Sequence, residues 1–326
     1  MKYKYIAIVP TYEPDENLID VVTNLKKENF YVIVVNDGNK KKYDKYFEKC
    51  NPSKLISYKE NKGKGYAIKT ALKYIKDNYD SYIIVTIDSD GQHKVNDAIK
   101  LCKYVENHPN EYILGKRIRN KKVPLRSKIG NEITKTVFNI VSNQKIYDTQ
   151  TGLRAFSNKL INYMINQKGN RFEYEMNTLL NAKNNDIKLT EIEIETIYIN
   201  HNRSSHFNTI KDSYKIYKNI FKYTLPYIIS FIFEMIFFIL LIKNNISYNY
   251  SCILSTLLYL VLIIIVDKKI VMNNKIIKYL LYILSTICLD LLIFIILSNY
   301  INIYVTKILT ELIMLLLINQ IKDNIF

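Results

Sequence analysis

The hydropathy of this 326-residue chain changes abruptly near residue 223, and that change limits the folds open to it. The first part mixes charged and apolar residues, as globular domains do. From residue 224 onward, Ile, Leu and Phe form long apolar runs, each near the roughly 20 residues that a helix needs to cross a bilayer. Two domains are expected, because the chain also exceeds the usual length of one. The predicted transmembrane helices cover residues 224–242, 249–266, 279–298 and 303–321.

Lysines mark one side of this predicted four-helix domain, residues 224–326. Positively charged connections remain on the cytoplasmic side of a membrane, whereas the connections at 243–248 and 299–302 carry little charge. We therefore predict a multi-pass protein of the cell (inner) membrane, with the front domain and both termini cytoplasmic. Residues 208–223 are predicted to form an amphipathic interfacial helix or a plain linker helix. The lysines are Lys211, Lys215, Lys218, Lys222, Lys268, Lys269, Lys275 and Lys278.

The front domain, residues 1–207, alternates apolar β-branched segments with helical patterns. This alternation predicts an α/β fold with a doubly wound, mostly parallel sheet covered on both faces. Ligands of such sheets bind beyond the carboxyl ends of the strands. The predicted strands are 3–9, 31–35, 82–87 and 112–114, and the predicted helices are 16–28 and 66–77.

Two carboxylates follow the third of these strands, where Ile87 is succeeded by Asp88, Ser89 and Asp90. Carboxylates at this position suit Mg²⁺ or Mn²⁺, which prefer oxygen ligands and share them with substrate phosphates. Gln92 supplies a further oxygen. An ordinary solvated turn is the alternative for this pattern alone, and the neighbouring segments favour a metal site for a nucleotide diphosphate.

The ends of the first two strands carry candidate contacts to a nucleotide. Asp37 is placed to accept a hydrogen bond from a base, and Pro10 and Tyr12 to flank it, although a loop residue or helix cap explains each one alone. Lys64, in Asn-Lys-Gly-Lys-Gly, is placed to face phosphates, because the adjacent glycines permit close backbone approach. The full GxxxxGK[ST] spacing is missing, so ATP hydrolysis has little support.

A basic stretch from Lys116 to Lys128 follows the fourth strand and contains Arg117 and Arg126. It is interpreted either as a solvated loop or as a loop that closes over an anionic acceptor or the diphosphate. The segments 148–154 and 169–175 are interpreted as acceptor-side walls.

Five motifs in order, PTYEPDEN, VVNDG, NKGKG, DSDGQH and DTQTGLRAF, resemble those of family 2 glycosyltransferases. The resemblance is to the polyprenyl-phosphate glycosyltransferases related to dolichol-phosphate mannose synthase, and it covers residues 6 to about 217. The predicted membrane part resembles the GtrA-like domain that some members carry. The resemblance implies a GT-A-like nucleotide-sugar-binding fold and metal-dependent sugar transfer from a nucleotide sugar to a lipid phosphate.

The resemblance also implies roles for individual residues. The base of a UDP- or GDP-hexose is assigned to Pro10, Tyr12, Glu13 and Asp37, and the metal and diphosphate to Asp88, Asp90 and Gln92. Arg117 and Arg126 are assigned to the acceptor loop, and Arg203, or else His206, to the acceptor phosphate. The family's Asp-Asp-Gly-Ser is Asn36-Asp37-Gly38-Asn39 here, which leaves Asp37 for the base but weakens any role for Asn36.

The predicted acceptor is a polyprenyl phosphate, undecaprenyl phosphate in a bacterium, for the modification of cell-envelope glycans. A lipid phosphate is already ionised at neutral pH and needs no general base, whereas a hydroxyl acceptor requires one, for which Glu173 and Glu175 are candidates. The chain has no tryptophan and so lacks the Gln-x-x-Arg-Trp motif of processive synthases, which favours transfer of a single sugar.

A membrane carrier or scaffold that only binds a nucleotide sugar is the alternative from another functional class. A nucleic-acid partner is not expected despite the net charge of +16, because no basic-aromatic binding module is recognisable. A homo-oligomer is compatible with the sequence. Acids predicted within the membrane, Glu234, Asp290 and Glu311, either fix helix packing by pairing with Ser230, Thr286 or Lys307, or handle the lipid-linked sugar.

Overall fold

The structure is a computed structural model that describes residues 4–118, 135, 138–139, 146–195, 211–266 and 276–325. The chain divides into two compact units, Met1–Ile220 and Phe221–Phe326. The division falls within the helix Lys211–Lys243.

Seven strands in the described part of the first unit form one sheet. They are β1 (Tyr5–Thr11), β2 (Tyr31–Asp37), β3 (Lys54–Tyr58), β4 (Ile83–Thr86), β5 (Glu111–Arg117), β6 (Arg154–Ser157) and β7 (Lys188–Ile194). Their order is β3-β2-β1-β4-β6-β5-β7. β6 runs antiparallel to β4 and β5, and all other pairs are parallel. The predicted α/β fold with a mostly parallel sheet is confirmed.

Helices cover both faces of this sheet. On one face, α1, α2 and α4 bury apolar side chains such as Val22 and Leu101 against Val34 and its neighbours. α3 contacts β1 and β2 and buries Ala71 and Leu72 completely. The helices are α1 (Asn17–Lys27), α2 (Asp44–Cys50), α3 (Lys64–Asn78), α4 (Val95–Asn107), α5 (Ile161–Ile165) and α6 (Glu173–Leu180).

The order of the strands reverses beside β1. The chain runs outward from β1 to β2 and β3, and then returns to place β4 on the other side of β1. At such a switch point the loops after neighbouring strands diverge and leave a crevice, which is where open α/β sheets bind ligands. The carboxyl ends of β1, β2 and β4 therefore define the edge at which a site is expected.

Three strands were not assigned from the sequence. β3 lies at the edge of the sheet and exposes much of its surface, so its sequence lacks a continuous apolar run. β6 has only four residues and begins with the buried Arg154. β7, at the other edge of the sheet, mixes apolar with charged residues and buries only Leu189 and Ile194.

Four long helices form the described part of the second unit, and the first residues of α7 belong to the first unit. α7 begins at Lys211, within the predicted interfacial or linker segment 208–223, and continues without a break into the first predicted apolar run. α9 packs against α8 and α10. The helices are α7 (Lys211–Lys243), α8 (Tyr248–Val266), α9 (Ile276–Ser298) and α10 (Ile303–Ile325).

Among the described side chains of the second unit, charged ones are buried and large apolar ones are exposed, the reverse of a water-soluble helical bundle. Glu234, Asp290 and Lys307 are at most 1% exposed, whereas Phe233 is 55% and Leu284 60% exposed. Among the described residues, however, no helix is both long enough and apolar enough to cross a membrane. The four transmembrane helices predicted from the sequence are therefore not confirmed.

Candidate active site

The predicted donor-site residues lie at the carboxyl edge of the sheet. Pro10 is a buried residue of β1, Asp37 ends β2, and Asp88 follows β4. Directly after β1, Tyr12 is half-buried and Glu13 is exposed, with a φ of 50°. The structure thus brings the three strand-end segments together, as their order in the sequence predicted.

The carboxylate of Asp37 holds the loop that precedes α3. It accepts hydrogen bonds from Asn61 Nδ2 at 3.1 Å, from Lys62 N at 2.7 Å and from Gly63 N at 2.9 Å. Gly38, at φ +69°, lies so close to this loop that a Cβ atom would come within 2.1 Å of the Glu60 carbonyl carbon. Asp37 therefore positions the loop, and its predicted contact with the base stays a prediction.

Asn39 connects the turns that follow β1 and β2, a role that sequence analysis missed. Its Nδ2 donates to Thr11 O at 3.0 Å and to Asn36 Oδ1 at 2.8 Å. The backbone N–H of Glu13 in turn donates to Asn39 Oδ1. The two departures from the family motif, Asn36 and Asn39, are thus hydrogen-bonded to each other.

Lys64 lies between two carboxylates. Its Nζ is 2.8 Å from Asp88 Oδ1 and 3.0 Å from Glu175 Oε1, and its side chain is only 14% exposed. Gly63 and Gly65 allow this approach, because Cβ atoms there would clash with Arg171 and Tyr174 at 2.5 and 2.4 Å. The loop before α3 and the start of α6 therefore join the site at Asp88. Glu175 as the second partner of Lys64 was not assigned from the sequence.

The charges around Lys64 set the protonation of the site. Burial alone lowers the pKa of Lys64, but the carboxylates of Asp88 and Glu175 outweigh it and raise that pKa above its ordinary value. Burial alone would raise the pKa of Asp88. The neighbouring Lys64, His93 and Arg117 outweigh burial and lower that pKa below its ordinary value. The Lys64 ammonium and the Asp88 carboxylate are therefore both ionised at neutral pH.

The pKa values of Asp90 and His93 are shifted in opposite directions. Burial, and then the negative charge of Asp88, raise the pKa of Asp90 to about 6. Burial lowers the pKa of His93 to about 4, so its ring is neutral at pH 7. Asp90 therefore changes charge just below neutral pH, and binding a cation there favours its ionised form.

Asp88, Asp90 and Gln92 lie on one turn and offer two carboxylates and an amide oxygen. The turn is stabilised by a hydrogen bond from Gln92 N to Asp90 Oδ1, at 3.1 Å. The described residues contain no group of three or more His, Cys, Asp or Glu side chains that could hold a metal ion. Mg²⁺ is commonly held by only one or two carboxylates together with substrate phosphates. The chemistry of this donor set fits an ion that binds with a diphosphate.

The backbone of Gly152 lies directly against Asp88. A Cβ atom on Gly152 would come within 1.9 Å of Asp88 Oδ2, and Gly152 O accepts a hydrogen bond from Thr86 Oγ1 at 3.1 Å. The Thr-Gly-Leu-Arg segment thus forms one wall of the Asp88 position.

Arg154 fixes this wall from the inside. It is 2% exposed and donates to the backbone oxygens of Thr151 at 2.8 Å, Thr149 at 3.1 Å and Glu175 at 2.9 Å. It also donates to Tyr112 OH and Thr178 Oγ1. Since a guanidinium has five N–H donors, a buried Arg154 satisfied in this way ties the 149–151 loop to α6.

Arg117, predicted to lie in an acceptor loop, forms a two-pronged ion pair with Asp148. Arg117 Nε lies 2.6 Å from Asp148 Oδ2, and Nη2 lies 2.8 Å from Oδ1. Asp148 is almost fully buried; burial alone would raise its pKa, but Arg117 lowers it below the ordinary value. This pair joins the end of β5 to the Asp-Thr-Gln-Thr-Gly segment. Arg126, Arg203 and His206 lie outside the described residues.

Comparison with known proteins places the chain in a family. The sequence model of glycosyl transferase family 2 matches residues 6–169. The UDP-N-acetylglucosamine–dolichyl-phosphate N-acetylglucosaminyltransferase of Methanococcus voltae is 31% identical over 225 residues, which cover 62% of this chain and 89% of that protein. Glycosyltransferase AglJ of Haloferax volcanii is 22% identical over 52% of this chain and 55% of its own length.

Among solved structures, S. aureus TarS in complex with UDP-GlcNAc is similar, with a TM-score of 0.44 and 18% identity. The match covers 68% of this chain and 66% of that one, so the chain spans slightly less than two thirds of it. The match to the family model does not extend to the helical unit, and the GtrA-like resemblance noted there stays a prediction. The family match covers strands β1 to β6 together with Lys64 and Asp88, and the chain belongs to glycosyltransferase family 2.

Proposed function

We propose that the protein transfers a single hexose, or an N-acetylated hexose, from a nucleotide diphosphate sugar to a polyprenyl phosphate. The relative from Methanococcus voltae, named for transfer to dolichyl phosphate, supports this class of acceptor. The product is a lipid-linked sugar for cell-envelope glycan modification. In the reaction, an acceptor phosphate oxygen attacks the anomeric carbon, and the bond from that carbon to the diphosphate breaks.

The pairing of Glu175 with Lys64 is the observation that carries the proposal. A hydroxyl acceptor needs a general base to remove its proton, and Glu173 and Glu175 are the candidates. The Glu175 carboxylate lies 3.0 Å from the Lys64 ammonium. Glu173 Oε1 accepts hydrogen bonds from the backbone of Asn170 and Arg171 at the start of α6. Both carboxylates are thus engaged, which favours an acceptor that is already ionised.

The site residues then act through charge and position. Lys64 is placed to exchange its contact with Asp88 for the donor diphosphate, whose negative charge grows as the sugar leaves. Pro10, Tyr12 and Asp37 form the base side of the edge. Arg126 and Arg203 are proposed to receive the acceptor phosphate, as the family resemblance implies.

Asp88, Asp90 and Gln92 are proposed to hold Mg²⁺ or Mn²⁺. When bound, this ion neutralises charge on the departing diphosphate. The ion binds the ionised form of Asp90, so metal binding depends on the protonation state of this carboxyl group, whose pKa is about 6.

We further propose that the second unit lies in a membrane, close to the lipid acceptor, with the catalytic unit on the cytoplasmic side. Large apolar side chains are exposed on all four helices, including Phe233, Leu257, Leu284 and Leu312. Exposed apolar surface on this scale is unfavourable in water and favourable against lipid chains. The lysines between residues 211 and 222 and those between residues 268 and 278 support the cytoplasmic orientation.

The test measures transfer of radiolabelled sugar into organic-extractable lipid by the purified full-length protein. Donors are UDP- and GDP-linked hexoses and N-acetylhexosamines, with undecaprenyl or dolichyl phosphate and Mn²⁺. Asp90→Asn removes one proposed ligand without changing side-chain size, and Asp77→Asn is its matched control on the exposed end of α3. We expect labelled lipid with the wild type and with Asp77→Asn, and none with Asp90→Asn.

The alternatives give different results in the same assay. A nucleotide-sugar carrier binds the donor but transfers label to no acceptor. A hydroxyl-directed enzyme labels an alcohol and depends on Glu175 as a base. Either result refutes the proposal.

A further inference from the structure

Charged side chains meet at the centre of the second unit. Lys307 Nζ lies 2.8 Å from Glu234 Oε1, 3.1 Å from Asp290 Oδ2 and 2.6 Å from Glu311 Oε1. None of these four residues is more than 5% exposed. Together with two polar neighbours on α8, they form what we call the acid–lysine cluster: Glu234, Cys252, Thr256, Asp290, Lys307 and Glu311.

The cluster contains more acids than its single lysine neutralises. With all three carboxyl groups ionised, it carries two uncompensated negative charges in a site closed to water. Burying unpaired charge is costly, so a buried carboxyl group without a partner takes up a proton instead. The composition of the cluster therefore requires bound protons.

Two contacts point to where those protons reside. Glu234 Oε1 and Glu311 Oε1 both lie against the Lys307 ammonium, at 2.8 and 2.6 Å, so these two carboxyl groups share one positive charge. One ammonium neutralises one carboxylate, so a proton on one of the two acids removes the charge that remains. In addition, Glu234 Oε2 and Asp290 Oδ1 are buried and receive no hydrogen bond from any described group of the protein.

A metal ion is a poorer occupant of the same place. The Lys307 ammonium already stands among the three carboxyl groups, where a cation would bind. No group of three or more His, Cys, Asp or Glu side chains in the described part of the chain could hold a metal ion. The remaining described neighbours, Thr256 and Cys252, donate to Asp290 Oδ2 at 2.6 and 3.2 Å.

We propose that the acid–lysine cluster is a proton-binding site, in which Glu234, Asp290 and Glu311 share exchangeable protons around the fixed charge of Lys307. Each proton comes from water, adds to a carboxylate oxygen and returns to water, without oxidation or reduction. All four helices contribute a residue to the cluster, so the binding and release of protons there changes the charge at the point where the helices pack. The proposal is independent of the transferase reaction.

The test follows the carbonyl stretch of protonated carboxyl groups by infrared spectroscopy, using full-length protein in lipid vesicles. Every preparation, including the wild-type reference, carries Asp90→Asn, because protonated Asp90, with a pKa of about 6, would add a band of its own. The double variant Glu234→Gln/Glu311→Gln leaves one acid, Asp290, to pair with Lys307 and removes the excess charge. We expect the wild type to show a protonated-carboxyl band near neutral pH that shifts in D₂O and disappears as the pH rises. We expect the double variant to lose that band, and the surface control Asp77→Asn to keep it.

Identical bands in the wild type and the double variant at every pH overturn the proposal, and so does a wild type without a protonated-carboxyl band. If the double variant does not fold, Glu234→Gln alone takes its place, and a band of unchanged intensity in that variant is the contradicting result. Helix packing without exchangeable protons does not produce a band that titrates and responds to D₂O, so this readout separates the two roles.

Discussion

Replacing Gly152 by alanine tests whether the position of the Asp88 carboxylate controls transfer. The new Cβ atom would lie 1.9 Å from Asp88 Oδ2, whereas ordinary contacts begin at 3.4 Å. The carboxylate must therefore move by about 1.5 Å, the difference between these two distances. Gly152 is not among the glycines with positive φ, so alanine strains no backbone angle there. Misplacing a group at a reaction centre by about 1 Å can reduce the rate on the order of 100-fold.

The assay compares initial rates of sugar transfer and thermal unfolding of the same preparations. We expect Gly152→Ala to lose about 100-fold in rate with little change in unfolding temperature, because a carboxylate can rotate away. Gly115→Ala is the matched control: its Cβ would meet Ile194 Cδ1 at 2.7 Å, the mobile end of an apolar side chain. Transfer by Gly152→Ala at the wild-type rate refutes a catalytic position for Asp88.

Three further predictions concern charge. Lys64→Met leaves Asp88 and Glu175 without their ammonium partner and is expected to cost about 3–5 kcal/mol in the free energy of unfolding. Adding Glu175→Gln should recover stability but not sugar transfer. Recovery of both contradicts the role of Lys64 at the diphosphate. The raised pKa of Asp90 means that the folded state binds its proton more tightly than the unfolded state, so the contribution of Asp90 to the stability of the donor-free protein falls as the pH rises from 3.8 to about 6. The lowered pKa of His93, about 4, contributes with the opposite sign over nearly the same range. Chemical unfolding across that range should show stability rising more steeply with pH in Asp90→Asn than in the wild type, because the variant lacks the opposing contribution of Asp90, and equal slopes disprove the assignment. Lys307→Met is expected to destabilise the second unit by about 3–5 kcal/mol, as measured by helix melting, and Glu234→Gln/Glu311→Gln without that substitution should melt near the wild-type temperature.

The sequence predicts the sheet where burial makes it uniformly apolar. β1, β2 and β4 are buried on both faces, so their β-branched runs are unambiguous, and their polar ends mark the ligand edge. β3 and β7 escape prediction because a partly exposed strand has no continuous apolar run. β6 escapes because Arg154, a charged residue, occupies its buried first position.

The candidate site is only partly readable from the sequence for a related reason. Asp88, Asp90 and Lys64 are recognisable from motifs that place them beside strand ends and glycines. The pairing of Lys64 with Glu175 and that of Arg117 with Asp148 join segments distant in the chain, and no local pattern reports such contacts. The segment at the start of α3 carries a sequence signal for these contacts: Gly63 and Gly65 indicate a close approach of another segment, but they do not identify the residues that approach.

The most direct test of the proposed function compares polyprenyl phosphate with the matching polyprenol as acceptor, at equal concentration and with the same labelled donor. An ionised phosphate attacks without a base, whereas the alcohol requires one that the engaged Glu175 does not provide. We predict labelled product from the phosphate acceptor alone, and we expect the Glu175→Gln variant to form the same product. Label on polyprenol, lost in Glu175→Gln, would contradict the account and assign Glu175 as the general base of a hydroxyl-directed transferase.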